Sequence, residues 1–130
     1  MVLTLKTADM TTELGLWRSA DQSVAIESWE SGRQLADDLL PRIERLLSGH
    51  DAVFKDLAGL VVFAGPGSFT SLRIGLTVAN TIAYANDCPI VSASGDDWIK
   101  GGFIKLKSAK SGDFTLPEYG AEANITQPKK

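Results

Sequence analysis

The residues best suited to chemistry in this 130-residue chain lie in one run, Ala64-Gly65-Pro66-Gly67-Ser68-Phe69-Thr70-Ser71-Leu72-Arg73-Ile74-Gly75. A glycine-rich turn that opens a helix can hold an anion, because free backbone amides and the positive end of the helix dipole point at the same spot. Gly65, Pro66, Gly67, Ser68, Phe69 and Thr70 would form that cradle, with Arg73 or Asp9 as helpers. The same glycines equally serve a tight strand-to-helix connection that binds nothing, since the geometry requires glycine in either case and Pro66 fixes its own φ. The turn has no Walker lysine and does not fit the dinucleotide spacing. On residues alone both readings stay open.

Little else in the chain offers reactive groups. The single histidine, His50, and the single cysteine, Cys88, leave no Cys/His cluster for zinc. His50 follows Ser48-Gly49 at a helix end, where a charged imidazole would suit the dipole. It lies far along the chain from the turn, and the carboxylates show no informative spacing, so no general base is identified. Cys88 falls between a helix end and an apolar strand, the setting of a small buried hydrophobe rather than of a nucleophile. No catalytic residue and no metal ligand is assigned.

With 44% hydrophobic and 22% charged residues the composition is that of a globular domain. No apolar stretch approaches the ~18 residues needed to cross a bilayer, and Met1-Val2-Leu3-Thr4-Leu5-Lys6 is unlike a signal peptide. A cytoplasmic protein is expected. The net charge of −3 hides an asymmetry: residues 1–99 hold seven Lys/Arg against thirteen Asp/Glu, residues 100–130 six against three. An acidic body argues against gripping nucleic acid with this part of the chain, because phosphate binding depends on Lys and Arg. The basic tail is free to lie on RNA, on an acidic partner or on its own acidic body.

The elements that must position the turn are legible around it. Leu60-Val61-Val62-Phe63-Ala64 is a continuous apolar run, the pattern of a strand covered on both faces. From Ser71 to Asn86 the chain reads as a helix, with Ser68 or Thr70 as its cap. Val2 to Ala8, Leu14 to Trp17 and Ser23 to Trp29 have strand character and suggest an antiparallel meander. Leu60 to Ala64 and Pro89 to Ser92 flank a helix and suggest parallel strands, so the sheet should be mixed. A first helix over Arg33 to Leu47 carries Leu35, Ala36, Leu39, Leu40, Ile43, Leu46 and Leu47 on an arc of about 140°. Pro41 within it predicts a kink, or a break into two short helices.

The second helix spreads its apolar residues over an arc of roughly 200°, wider than one sheet face can cover. Along it Ser71, Gly75, Ala79 and Ala83 form a line of small side chains where another backbone or sheet can approach closely. Either the first helix and the sheet hide this stripe, or another subunit does. Beyond Gly95 the pattern decays, and Phe103-Ile104-Lys105-Leu106-Lys107 is the one strong strand candidate in a segment punctuated by Gly101-Gly102. Residues 1–95 read as one domain, and 96–130 as a short C-terminal appendage with a basic tail.

The order of these elements around Gly-Pro-Gly-Ser-Phe-Thr resembles the TsaB (YeaZ) family of tRNA threonylcarbamoyladenosine biosynthesis proteins. The family hallmark is Gly-Pro-Gly-Ser-Phe-Thr-Gly-Leu/Val-Arg-Ile-Gly, matched here from Gly65 to Gly75 except at Ser71. Leu39-Leu40-Pro41 with Ile43 and Leu46-Leu47 is similar to the family's first helix, and Pro89-Ile90-Val91 to the strand after its second. The resemblance covers about residues 1–95 and implies an α/β fold of ribonuclease-H-like type, in the actin and Hsp70 ATPase superfamily. That fold has a mixed five-stranded sheet with two main helices. It also implies a shortened form lacking most of the family's second half, although Pro117-Glu118-Tyr119 and Asn124 to Lys130 resemble the tail that ends many members.

Two departures stand out. The family's early Ile-Asp-Thr falls at Lys6-Thr7-Ala8, so the acidic residue that ATPase relatives place near metal and phosphates is absent unless Asp9 replaces it. Where the family often has His followed by Ser or Thr in the first helix, this chain has Leu35-Ala36. The resemblance implies a non-catalytic scaffold, not an enzyme, that pairs through its two helices with the catalytic paralogue TsaD, with a TsaE-type ATPase joining. No cofactor is expected on this chain alone; ATP and metal are expected on the partners, and tRNA only within the complex. The peptidase-like label borne by relatives gains no support from a chain with one histidine. Expected contacts are Leu35, Leu39, Ile43, Ser71, Gly75, Val78 and Ile82. The alternatives are a small phosphate- or nucleotide-binding enzyme built on the glycine turn, or a degenerate homodimeric module.

Overall fold

Three strands form the expected meander: β1 (Val2–Lys6), β2 (Thr11–Ser19) and β3 (Gln22–Glu30), each antiparallel to the next. The computed structural model describes residues 1–112 of the chain. A 3-10 turn over Gly32–Gln34 leads into α1 (Leu35–Ser48), followed by β4 (Gly59–Phe63), α2 (Phe69–Asn86), β5 (Ile90–Ala93) and α3 (Trp98–Leu106). The strand order is β3-β2-β1-β4-β5, with β4 parallel to both β1 and β5. The mixed five-stranded sheet is therefore as expected.

Alternation along the strands divides the apolar residues between two faces. Leu3, Leu5, Leu14, Leu16, Leu60, Val62 and Ile90 join Leu35, Leu39, Ile43, Leu46 and Leu47 of α1 and Leu76, Ala79, Ile82 and Ala83 of α2 in one core. Val2, Val61, Phe63, Val91 and Ala93 face the other way, toward Trp98 of α3. All five residues of β4 are buried, as a strand covered on both faces requires.

Three expectations are corrected. Phe103 to Lys107 is not a strand: residues through Leu106 belong to α3. Trp98, Gly102 and Leu106 recur every four residues along it; Trp98 and Gly102 are buried, and Leu106 packs against that core, close over Gly59. Gly102 does not break the helix but lets it approach the sheet, since a Cβ there would run into the Val61 side chain. Residues of α3 share this core, Trp98 within it and Ile99, Phe103 and Leu106 packed against it. The helix over α1 is unbroken through Pro41, preceded by the 3-10 turn; Pro41 and Asp37 are both exposed, so the carbonyl that loses its partner lies on the water side. Finally, α2 starts at Phe69, two residues before the expected Ser71. The tail resemblance, at Pro117-Glu118-Tyr119 and Asn124 to Lys130, lies outside the described residues.

Candidate functional site

The glycine turn is built by close approach. Gly65 has φ +127°, a conformation that side chains with a Cβ resist. Gly67 lies against the chain just past β1, where a Cβ would come within 2.6 Å of both the Cβ and the carbonyl oxygen of Ala8. The turn is stitched to both neighbours: the Ala64 amide donates to the Ala93 carbonyl (2.8 Å) and the Ser68 amide to the Ala8 carbonyl (2.6 Å). Ser68 is the N-cap of α2, its Oγ accepting from the Ser71 amide at 3.3 Å, while Thr70 lies inside the helix.

Those bonds weigh against the anion cradle. An anion site needs backbone N–H groups aimed outward, and here the Ser68 and Ser71 amides are already engaged. The Arg73 guanidinium sits over the Phe69 ring, 5.6 Å from its centroid. Asp9 is used locally, its Oδ1 accepting from the Thr11 amide at 2.9 Å. At the position of the family's missing acid, Thr7 is buried and its hydroxyl donates to the Ser71 carbonyl (2.7 Å), tying β1 to the first turn of α2.

Other reactive candidates are structural in their surroundings. The His50 Nδ1 lies 2.9 Å from the Leu46 carbonyl at the end of α1, as the dipole argument placed it. Cys88 is buried, and that burial, with Asp87 beside it, pushes its thiol above the usual pKa. A thiol held protonated is a poor nucleophile. Among the described residues no three His, Cys, Asp or Glu side chains gather in a way that could hold a metal ion, and no helix is long and apolar enough to cross a membrane.

The feature that remains is the outer surface of the helix pair. A cleft of 390 Å³ runs between α1 and α2, lined by Ala36, Phe69, Thr70, Arg73, Ile74, Thr77 and Val78. Leu40, one turn beyond Ala36 on α1, is 44% exposed, and Phe69 is 51% exposed. Of the seven expected contacts, Ser71 and Val78 are half-buried and can be reached from outside. Leu35, Leu39, Ile43, Gly75 and Ile82 are buried within the chain. Gly75 lies so close to Thr7 that a Cβ would collide with its side chain, and Gly75, Ala79 and Ala83 of the line of small residues are buried. The outward edge consists instead of Ala36, Leu40, Ile74 and Val78. Their signal was present as the flanks of the two apolar arcs, which a count of apolar positions does not separate from the centres.

Residues 29–95, just over half of the chain, match the family model of TsaD, tRNA N6-adenosine threonylcarbamoyltransferase. Two curated relatives are both described as the tRNA threonylcarbamoyladenosine biosynthesis protein TsaB. The one from Bacillus subtilis is 44% identical over 55 residues, 42% of this chain and 24% of that protein. The one from Escherichia coli is 25% identical over 132 residues, 95% of this chain and 56% of that protein. The chain thus spans at most about half the length of these relatives. Among solved structures, YeaZ from Pseudomonas aeruginosa is similar with a TM-score of 0.66 at 25% identity, over 72% of this chain and 43% of that one. RuvC from Thermus thermophilus has a TM-score of 0.52 at 10% identity, over 87% of this chain and 85% of that one, a likeness of fold alone. The fold is the expected ribonuclease-H-like one.

Proposed function

Since this chain belongs to the TsaD family and is similar to TsaB (YeaZ) proteins, we propose that it serves tRNA threonylcarbamoyladenosine biosynthesis as a non-catalytic scaffold. In this reading the outer edges of α1 and α2 pair with a TsaD-type paralogue in the cytoplasm. A TsaE-type ATPase joins the assembly, and ATP and metal are held by the partners. The observation that carries it is the apolar edge across the two helices: exposed Leu40 and Phe69, with half-buried Ile74 and Val78, around an open cleft. Large apolar side chains grouped on a surface mark an interaction site. A helix-pair contact of ordinary size would remove about 800 Å² per partner from water, with a few central side chains dominating its energy.

The non-catalytic part of the reading rests on the engaged Ser68 and Ser71 amides at the glycine turn, the raised Cys88 thiol and the position of His50 against its own helix. The test is Val78→Asp. Val78 is only partly covered by its own chain, so the variant should fold, whereas in a paired state the new carboxylate would be buried without a partner. That costs about 3 kcal/mol or more, a hundredfold or greater weakening. Co-purification with a TsaD-type paralogue should be lost. Undiminished pairing by a folded Val78→Asp protein would refute the placement; self-association without any pairing would favour the homodimer.

A further inference from the structure

A second cleft, of 640 Å³, lies on the opposite side of the sheet, between α3 and the β2–β3 hairpin; its lining includes Arg18, Asp21, Lys100, Phe103, Ile104 and Lys107. Residues 98–112 hold Lys100, Lys105, Lys107 and Lys110 and no Asp or Glu, in a molecule whose first 99 residues carry an excess of six negative charges. Lys105 is committed, donating to the Ser92 carbonyl of the edge strand β5 at 2.7 Å. Arg18, Lys100, Lys107 and Lys110 are exposed and make no ion pair among the described residues.

We propose that this face holds the phosphate backbone of an RNA strand. The proposal rests on the reading that the chain serves tRNA modification. Lys100 and Lys107 are seven residues apart on one helix, about 10 Å along its axis, and Arg18 faces them across the cleft. Along the axis of a duplex each strand carries one charge per about 3.4 Å, so a span of that length laid parallel to the axis passes about three phosphates. Phe103 and Ile104 give the floor an apolar surface on which a sugar or base can rest. The acidic residues of α1, Asp37, Asp38 and Glu44, lie on the other side of the sheet and repel a polyanion there, which fixes the side from which RNA approaches.

The experiment uses the full chain and an unmodified tRNA transcript in fluorescence anisotropy at several salt concentrations. Binding should weaken with salt at a logarithmic slope of about −2 to −3, which is about −0.7 to −0.9 for each of three phosphates. The triple variant Arg18→Gln/Lys100→Gln/Lys107→Gln should lose tenfold or more in affinity and most of that slope. Arg42→Gln, on the α1 side, and Lys129→Gln/Lys130→Gln should leave both unchanged. No binding by the parent chain, equal binding by the triple variant, or loss with the terminal lysine pair instead would overturn the proposal. So would polyglutamate that competes as well as polyuridylate, since the surface would then be a general acidic-partner site. Pairing with a TsaD-type paralogue is measured separately: pairing lost with this slope intact removes the scaffold reading and not this one, and the reverse removes only this one.

Discussion

Replacing Gly102 by alanine should destabilise the protein, although alanine is the better helix former. An ideal Cβ at Gly102 would overlap Val61 Cγ1 and lie 2.9 Å from its Cγ2 and 3.1 Å from its Cβ. Val61 is fully buried in the interior strand β4, paired on both sides, and its branched side chain has few rotamers to escape into. Overpacking of this kind costs about 1–3 kcal/mol, and three contacts against one immobile side chain place this case near the upper end. Helix propensity returns about 1 kcal/mol, leaving a net loss of about 2 kcal/mol. For a domain of this size that lowers Tm by about 6–8 °C. Gly101 is the internal control. Nothing lies within 4 Å of a Cβ there, so Gly101→Ala should gain the propensity term alone and raise Tm by about 3 °C. Thermal unfolding followed by circular dichroism reads both, and Val61→Ala should relieve part of the Gly102→Ala penalty, a coupling that a double-mutant cycle isolates. If both alanine variants raise Tm, α3 does not pack on β4 as described.

Two further outcomes follow from the same kind of geometry. Gly75→Ala should cost about 1–3 kcal/mol in urea unfolding, because its Cβ would meet the Thr7 side chain and disturb the 2.7 Å bond from Thr7 to the Ser71 carbonyl; unchanged stability would return Gly75 to the list of surface contacts. Cys88 should react with a thiol reagent at pH 8 at least about tenfold more slowly in the native protein than in urea, and equal rates would refute its burial. Because its folded pKa is raised above the unfolded value, the thiol's contribution to stability is complete below the unfolded pKa and is lost as pH climbs through the folded one.

The turn and its flanking elements were legible because each carried a local signal that tertiary context did not override. Five consecutive apolar residues in β4, glycines where the chain must bend and approach Ala8, and a serine at the cap all point the same way. The third helix was not legible for an equally local reason. Its inward positions are Trp98, Gly102 and Leu106, and the middle one is a glycine, which adds nothing to an apolar periodicity and reads as a breaker beside Gly101. The helical period was present in the sequence, but the packing partner that explains it, Val61, lies some forty residues away. The helix-pair surface was half legible. Periodicity showed that α2 is apolar over too wide an arc, and it could not say which edge the sheet takes. The sheet takes Leu72, Gly75, Leu76, Ala79, Ile82 and Ala83, leaving Ile74 and Val78 toward the outside.

The two surfaces are set apart by the sheet itself. The residues of α1 and the greater part of α2 pack on one face and Trp98 of α3 on the other, where Leu72 from the first turn of α2 joins it, and the side chains of β4 alternate between the two. A scaffold that must touch a protein and a nucleic acid at once needs such a partition, because either ligand on the same face would exclude the other. It follows that the two sets of substitutions should not cross. Val78→Asp should leave the salt slope of tRNA binding unchanged, and the Arg18/Lys100/Lys107 glutamine variant should pair normally, since residues that share no contacts behave additively. A cross effect in variants that keep the parent Tm would mean that the faces are coupled, through Leu72 of α2, which shares the core of Trp98, or through Val61 and Val62 of β4, neighbours on opposite faces.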